Sequence, residues 1–299
     1  MASSNWTADA IPDQTGRTVV VTGSTSGIGK EAARVMAMKN ADVVLAVRNT
    51  NKGGVIAEDF RKAGAGGKVS VLPLDLSSLA SVRAFAAAFQ NTGAKLDLLV
   101  NNAGVMMCPY SKTEDGFEIQ IGTNHLGHFA LTGLLLPLLE TTEGSRVVMV
   151  SSLAHTRGDP DLSDLSWEKR KYSPAQAYCD SKIANLLFAY ELARRLDSAG
   201  KAVTVTAAHP GWTATDLQRH SAAFSFFNPL LGQGVPKGAL PTLRAACDPA
   251  AKPGDFFGPT GLGGMRGYPA KVKSNAKSRD PKLAQDLWAL SEQLTGVAF

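Results

Sequence analysis

Tyr178-Cys179-Asp180-Ser181-Lys182 sets a phenol and an ammonium four residues apart, inside a stretch, Pro174 to Leu196, whose pattern predicts a helix. At that spacing both side chains share one helix face. A phenol ionises near pH 10 in water, so proton exchange near neutrality requires a shift of about 3 units, or about 4 kcal/mol. An ammonium about 5 Å away, in an effective dielectric of about 20, contributes roughly 3 kcal/mol of that. The pair could therefore move a proton, although alone it also fits an ordinary helix-surface pair. Its company narrows the choice. Ser151-Ser152 follows the apolar run Arg146 to Val150, and Asn101-Asn102-Ala103-Gly104 follows Leu96 to Val100. In open parallel sheets, ligands bind just outside the carboxyl ends of the strands. Asn124 sits in a largely apolar stretch, where an amide needs partners.

A second group is suited to phosphate. Thr22-Gly23-Ser24-Thr25-Ser26-Gly27-Ile28-Gly29 follows a β-branched run and opens a helical one. Glycines there permit a tight turn and close approach to a pyrophosphate, whose charge is met by the N–H groups of the helix start. The spacing is G-x-x-x-G-x-G. At the end of the next predicted strand an NAD site carries Asp or Glu for the ribose 2′-hydroxyl. This chain has Val47 followed by Arg48. A guanidinium can hold a 2′-phosphate that a carboxylate would repel, which favours NADP(H) over NAD(H).

The elements that position these groups are legible as an alternation. Continuous apolar runs at Thr18–Val21, Asp42–Val47, Lys68–Leu74, Leu96–Val100, Arg146–Val150 and Ala202–Ala207 predict strands buried on both faces. Helical stretches lie between them at Ile28–Lys39, Val55–Lys62, Leu79–Phe89, Phe117–Leu139 and Pro174–Leu196. Strict alternation implies right-handed crossovers and an α/β, doubly wound parallel sheet in a single domain over residues 1–299. From Pro210 to Pro236 the chain reads as irregular, with Phe224, Phe226, Phe227, Leu230 and Leu231 close together. Residues 210–280 therefore read as a substrate lid and C-terminal extension, before a final amphipathic helix at Pro281–Leu294.

Composition closes off other classes. The chain of 299 residues is 44% hydrophobic, enough for a sizeable core. Its longest apolar run, Ala84 to Phe89, is six residues, and the N-terminus has no basic-then-apolar leader pattern. No membrane span and no secretory signal are expected. Three scattered cysteines predict neither a disulfide framework nor a zinc cluster, hence a reduced, cytoplasmic protein. The net charge of +5 is mild and unclustered, which argues against nucleic-acid binding. His125 and His128, flanked by Leu126 and Phe129, read as packing or surface residues, and no metal site is predicted.

Taken together, TGSTSGIG, NNAG, the Asn of NHLGHF, the serine pair after the fifth strand, YCDSK and HPGWTAT resemble the short-chain dehydrogenase/reductase family, in order from Thr18 to Thr215. The glycine spacing resembles its oxidoreductase branch. NNAGVMMCPYSKTEDGFEIQIGTNHLGHF and SSLAH are similar to the retinol-dehydrogenase-like group, here without its usual membrane anchor. The resemblance implies a Rossmann-type fold and assigns roles. Ser152 would polarise the substrate oxygen. Tyr178 would be general acid in reduction and general base in oxidation. Lys182 would hold the nicotinamide ribose and depress the tyrosine pKa, and Asn124 would anchor a water linking Lys182 to solvent. Gly23, Ser26, Gly27, Ile28 and Gly29 would take the pyrophosphate, with Arg48 at the ribose and Asp75 and Leu76 near the adenine. Asn102, Ala103 and Gly104 would line the adenosine side. Pro210, Gly211, Thr213 and Thr215 would secure the nicotinamide end.

Two departures stand out. Position 180 is Asp where many relatives carry a small residue. The stretch between Ser152 and Tyr178 is about twice the family's usual length, so His155 to Ser173 should loop out beside the substrate opening. Met106, Met107, Phe224, Phe226 and Phe227 suggest an apolar wall over the nicotinamide end, hence a bulky lipophilic ketone, aldehyde or alcohol. Two rivals remain at this point. One is reduction of a carbon–carbon double bond, as in protochlorophyllide reductases, which share the Tyr-x-x-x-Lys pair. The other is a catalytically silent NADP(H)-sensing scaffold. Members of the family commonly form homodimers or homotetramers through the helices carrying Asn124 and Tyr178, whereas nothing in this sequence fixes an oligomeric state.

Overall fold

The computed structural model describes residues 5–213 and 232–299. Its central strand, β1 (Thr18–Thr22), is buried at all five positions. Val19 and Val21 turn into one apolar cluster and Val20 into the other, so the strand has a core on each face. Around it lie β2 (Asp42–Val47), β3 (Val69–Pro73), β4 (Leu98–Asn101), β5 (Arg146–Val150) and β6 (Thr204–Ala208), all parallel. Helices α1 (Gly27–Met38) and α2 (Thr50–Lys62) cover one face. Opposite them are α3 (Leu79–Gln90), α5 (Gly127–Glu140) and α6 (Pro174–Ser198). The order of these strands is β3-β2-β1-β4-β5-β6, so the winding reverses between β1 and β4. That switch point is where open α/β sheets bind ligands.

The six expected strands are present, and the sheet goes further than expected. β7 (Phe256–Gly261) joins β6 in parallel, and β8 (Arg266–Lys271) pairs with β7 antiparallel, so the sheet is mixed at this edge. This hairpin falls inside the stretch read as lid and extension. Prolines and glycines mask it: Pro259 stands directly opposite Pro269. Neither has an N–H, so that rung exchanges no hydrogen bond, which a strand tolerates only at an edge or bulge. A helix, α7 (Val235–Cys247), also went unpredicted because of Pro236, Gly238 and Pro241. Pro236 sits in its first turn, where no N–H is needed. A Cβ at Gly238 would lie 2.2 Å from Thr213 Oγ1, so glycine lets α7 approach that loop.

Two boundaries also differ. α2 starts at Thr50 rather than Val55, because the Asn49 side chain caps it, accepting from the Lys52 N–H at 2.9 Å. The predicted helix Phe117–Leu139 runs from Ile119 to Glu140 with a π-helical turn inside it: α4 (Ile119–Ile121) leads into that turn, Gly122–Leu126, before α5. Asn124 lies in that turn. The C-terminal helix α8 (Pro281–Thr295) lays Trp288 against Phe129, Phe188 and Phe299, at ring separations of 5.1, 5.7 and 4.7 Å. Among the described residues, no helix is long and apolar enough to cross a membrane.

His125 and His128 are fully buried, and desolvation pulls them down to about 3 and about 4. Folded values below the unfolded 6.5 mean that the native state binds fewer protons between those limits. Stability is then intact above pH 6.5 and lost as pH falls toward 4. We expect the urea midpoint to drop from pH 7 to pH 5, with each ring costing about 2 kcal/mol. A midpoint that stays level over that interval would contradict neutral burial of these rings.

Candidate active site

The phosphate end is built at the β1–α1 turn. Gly23 and Gly27 have φ of +65° and +54°, conformations that L side chains rarely adopt. Ser26 occupies the N-cap of α1 without a side-chain capping bond, so the first N–H groups of that twelve-residue helix remain open to an anion. Thr22 stitches this turn to the loop after β4. Its Oγ1 accepts from the N–H groups of Asn102 and Ala103, each at 2.9 Å, while Asn102 Nδ2 donates to the Thr22 carbonyl at 2.9 Å. The loops pack so closely that a Cβ at Gly23 would fall 2.8 Å from Ala103 Cα, and one at Gly29 2.3 Å from Asn102 Nδ2.

A cleft of about 400 Å³ runs from this turn across the carboxyl ends of the strands. Its floor includes Gly23, Ser26, Ile28, Asn102 and Gly104, and its far wall includes Asp75 and Leu76. Asp75 Oδ1 is engaged by Ser77, accepting from its N–H at 2.9 Å and its hydroxyl at 2.7 Å, which fixes the turn after β3. Arg48 lines the cleft at the end of β2, together with Lys52 from the first turn of α2. Lys52 was missed because α2 was expected to begin beyond it. The Asn49 cap, three residues ahead, is the signal that could have found it.

The opposite end is formed by Val150, Ser151, Tyr178, Lys182 and Pro210. Tyr178 and Lys182 lie on the same face of α6, with the ammonium 5.7 Å from the ring centroid. Ser152 follows β5 and caps a short 3₁₀ turn, its Oγ accepting from Ala154 N–H at 3.2 Å. Asn124 is tied in on three sides. Its Oδ1 accepts from Val105 N–H at 2.8 Å, and its Nδ2 donates to the Val105 carbonyl and to Ser181 Oγ, both at 2.9 Å. Both N–H bonds of the amide are therefore committed to protein. A Cβ on Gly104 would come within 3.1 Å of Asn124 Oδ1 and 3.3 Å of Lys182 Nζ, so glycine there keeps the two side chains beside one backbone atom.

At this end burial opposes the expected pull of the ammonium on the phenol. Burial pushes Tyr178 up to about 12, against the pull of the Ser152 hydroxyl. Burial also brings Lys182 down to about 8, with the Val150 carbonyl accepting from its Nζ at 3.4 Å. Desolvation of both groups outweighs their attraction. A further positive charge beside the ring would be needed to bring the phenol toward neutrality.

Gly211 and Thr213 are drawn onto the β7–β8 hairpin and the start of α7. A Cβ at Gly211 would lie 2.4 Å from the Met265 carbonyl, and Thr213 pairs with Gln233 in a parallel bridge. The Pro210 carbonyl accepts from Thr213 Oγ1 and Gln233 Nε2, both at 2.9 Å. Thr215, Phe224, Phe226, Phe227, Leu230 and Leu231 lie outside the described residues. Met106 lines the cleft, and Met107 takes φ +51°, held by Gln120, whose Oε1 accepts from the Met107 N–H at 2.7 Å.

The unusual Asp180 has a clear task. Its Oδ1 accepts from Asp159 N–H at 2.8 Å and Gln176 Nε2 at 2.7 Å, and its other oxygen lies 3.7 Å from Arg170. Asp159 and Arg170 both belong to the extended stretch between Ser152 and Tyr178, so a carboxylate two residues from Tyr178 anchors that loop to α6. Close packing reinforces it, since a Cβ at Gly158 would fall 2.4 Å from Ile183. Among the described residues, no group of three or more His, Cys, Asp or Glu is arranged to hold a metal.

Comparison with known proteins agrees with this geometry. The sequence profile of the short chain dehydrogenase family matches residues 17–224. Human retinol dehydrogenase 13 is 42% identical over 294 residues, covering 94% of this chain and 85% of that protein. The crystal structure of an uncharacterized protein from Mycobacterium paratuberculosis is 46% identical, superposes with a TM-score of 0.84 and covers 99% of both chains. The NADP active-site complex of Pseudomonas aeruginosa RhlG is 28% identical, with a TM-score of 0.64 over 81% of this chain and 94% of that one. A glycine-rich strand-to-helix turn and a phenol–ammonium pair at the far end of one cleft thus occur in a chain of which two human retinol dehydrogenases match at least 94%, and it belongs to the short-chain dehydrogenase/reductase family as a retinol-dehydrogenase-like oxidoreductase acting on CH–OH donors.

Proposed function

We propose that the chain is NADP(H)-dependent and interconverts a bulky lipophilic ketone or aldehyde with its alcohol. The observation that carries the cofactor choice is the pair of cations, Arg48 and Lys52, on the cleft wall at the end of β2, where an NAD enzyme carries a carboxylate. The glycine turn suits a dinucleotide, because Gly23 and Gly27 take up positive φ and the first N–H groups of α1 carry no side-chain cap. When bound, such a cofactor supplies or takes up the hydride. The remaining work falls to the chain. Tyr178 delivers its hydroxyl proton to the carbonyl oxygen in reduction and takes it back in oxidation, and Ser152 donates to the same oxygen as negative charge develops there. Lys182 contributes the positive charge that favours the phenolate and orients the ribose hydroxyls. Asn124 holds Val105 and Ser181, and with them the turn of α6 between Tyr178 and Lys182. Met106 in the cleft wall, and a relative named a retinol dehydrogenase, support a large apolar substrate.

The cofactor test is direct. A charge-assisted bidentate contact to the 2′-phosphate, replaced by repulsion in Arg48→Glu, should raise the KM for NADPH about a hundredfold and leave that for NADH within about threefold. Equal losses for both cofactors would refute the assignment. For the substrate, NADPH oxidation across aldehydes and ketones of graded size should favour the large apolar members, and comparable turnover of small polar ones would count against the lipophilic reading.

A further inference from the structure

His128 joins two parts of the site that are remote in sequence. It is completely buried one turn beyond Asn124 in the chain. Its Nδ1 lies 2.9 Å from the Asn124 carbonyl, which can only accept, so the proton is on Nδ1. Nε2 is then an acceptor, and at 2.9 Å it faces Thr22 Oγ1. With its one hydrogen directed at the imidazole at 2.9 Å rather than at the Val100 carbonyl 3.3 Å away, Thr22 Oγ1 keeps its lone pairs for the N–H groups of Asn102 and Ala103. Both ring nitrogens and the Thr22 hydroxyl then have partners of the right kind. The ring directly bridges the π-helical turn and the β1–β4 stitch that shapes the phosphate turn.

We propose that His128 is a positioning residue that holds the Asn124 turn and the Thr22–Asn102 stitch in mutual register, serving the proton-transfer end with one nitrogen and the dinucleotide end with the other. This rests on the reading of the cleft given above. The nitrogens can be separated experimentally, because an asparagine amide approximates Nδ1 and a glutamine amide approximates Nε2. In the full chain, His128→Asn should weaken NADPH binding about tenfold by fluorescence titration and leave kcat for decanal reduction within about twofold. His128→Gln should do the reverse, lowering kcat about tenfold with the Kd for NADPH within about twofold. His128→Leu should lose both if it folds. The proposal is overturned if the Asn and Gln variants move both constants together, or leave both at the wild-type values. Should the wild-type chain bind NADPH yet leave decanal untouched, the substrate reading fails. The Kd comparison then still decides: weakening confined to His128→Asn supports the register role, and equal Kd values exclude it.

Discussion

Replacing Tyr178 by phenylalanine should lower kcat for carbonyl reduction about a thousandfold, with the Kd for NADPH changed less than about threefold. The ring would remain, packed as before on α6, and only the proton donor would be lost. The phenol is buried and pushed up to about 12, so in the wild type it stays protonated and ready to donate throughout the neutral range. Oxidation of the alcohol needs the opposite form, and its rate should climb with pH because the phenolate becomes more accessible as pH approaches the phenol's pKa. Tyr178→Phe should flatten that climb. Stopped-flow NADPH oxidation and a fluorescence titration separate the two effects. Turnover surviving within tenfold of wild type would remove Tyr178 from the mechanism.

The second large effect concerns Gly29. Its missing side chain leaves room for Asn102 Nδ2 and the Gly23 carbonyl, which would stand 2.3 and 2.6 Å from an added Cβ. Neither can yield cheaply. The amide holds the Thr22 carbonyl, and the Gly23 backbone forms the turn itself. Gly29→Ala should therefore distort the turn and weaken NADPH binding at least about a hundredfold, with overpacking lowering stability by about 1–3 kcal/mol. Gly54 provides the matched control. It lies on exposed α2 with nothing within 4 Å of an added Cβ, so Gly54→Ala should raise stability by about 0.5–1 kcal/mol and leave binding unchanged. If the two variants bind NADPH equally well, the packing account of the turn is wrong.

The sequence disclosed what depends on local chemistry. Strands buried on both faces announce themselves as β-branched runs, and β1 to β6 fall where Thr18–Val21 and its counterparts predicted. The glycine turn, Asn102 and the Tyr178–Lys182 pair were legible because their residue types are costly anywhere else. What stayed hidden depends on contacts distant in sequence. The β7–β8 hairpin looks like loop because its prolines face each other across one rung. Lys52 becomes a site residue only through an α2 start fixed by the Asn49 side chain. His128 looked like packing, since nothing in NHLGHF reveals that Thr22, 106 residues earlier, waits at its far nitrogen. The expected pull of Lys182 on the Tyr178 phenol is opposed by the burial of both partners, which a pairwise Coulomb sum omits.

The carboxylate of Asp180 ties the stretch between Ser152 and Tyr178, which we propose forms the rim of the substrate opening, to the helical turn that carries Tyr178. A guest pushing that rim outward would pull on the same turn, so admission and chemical alignment are mechanically linked. Molecules too wide for the mouth would meet a misaimed hydroxyl as well as a steric barrier, and size discrimination would then show up in turnover as much as in affinity.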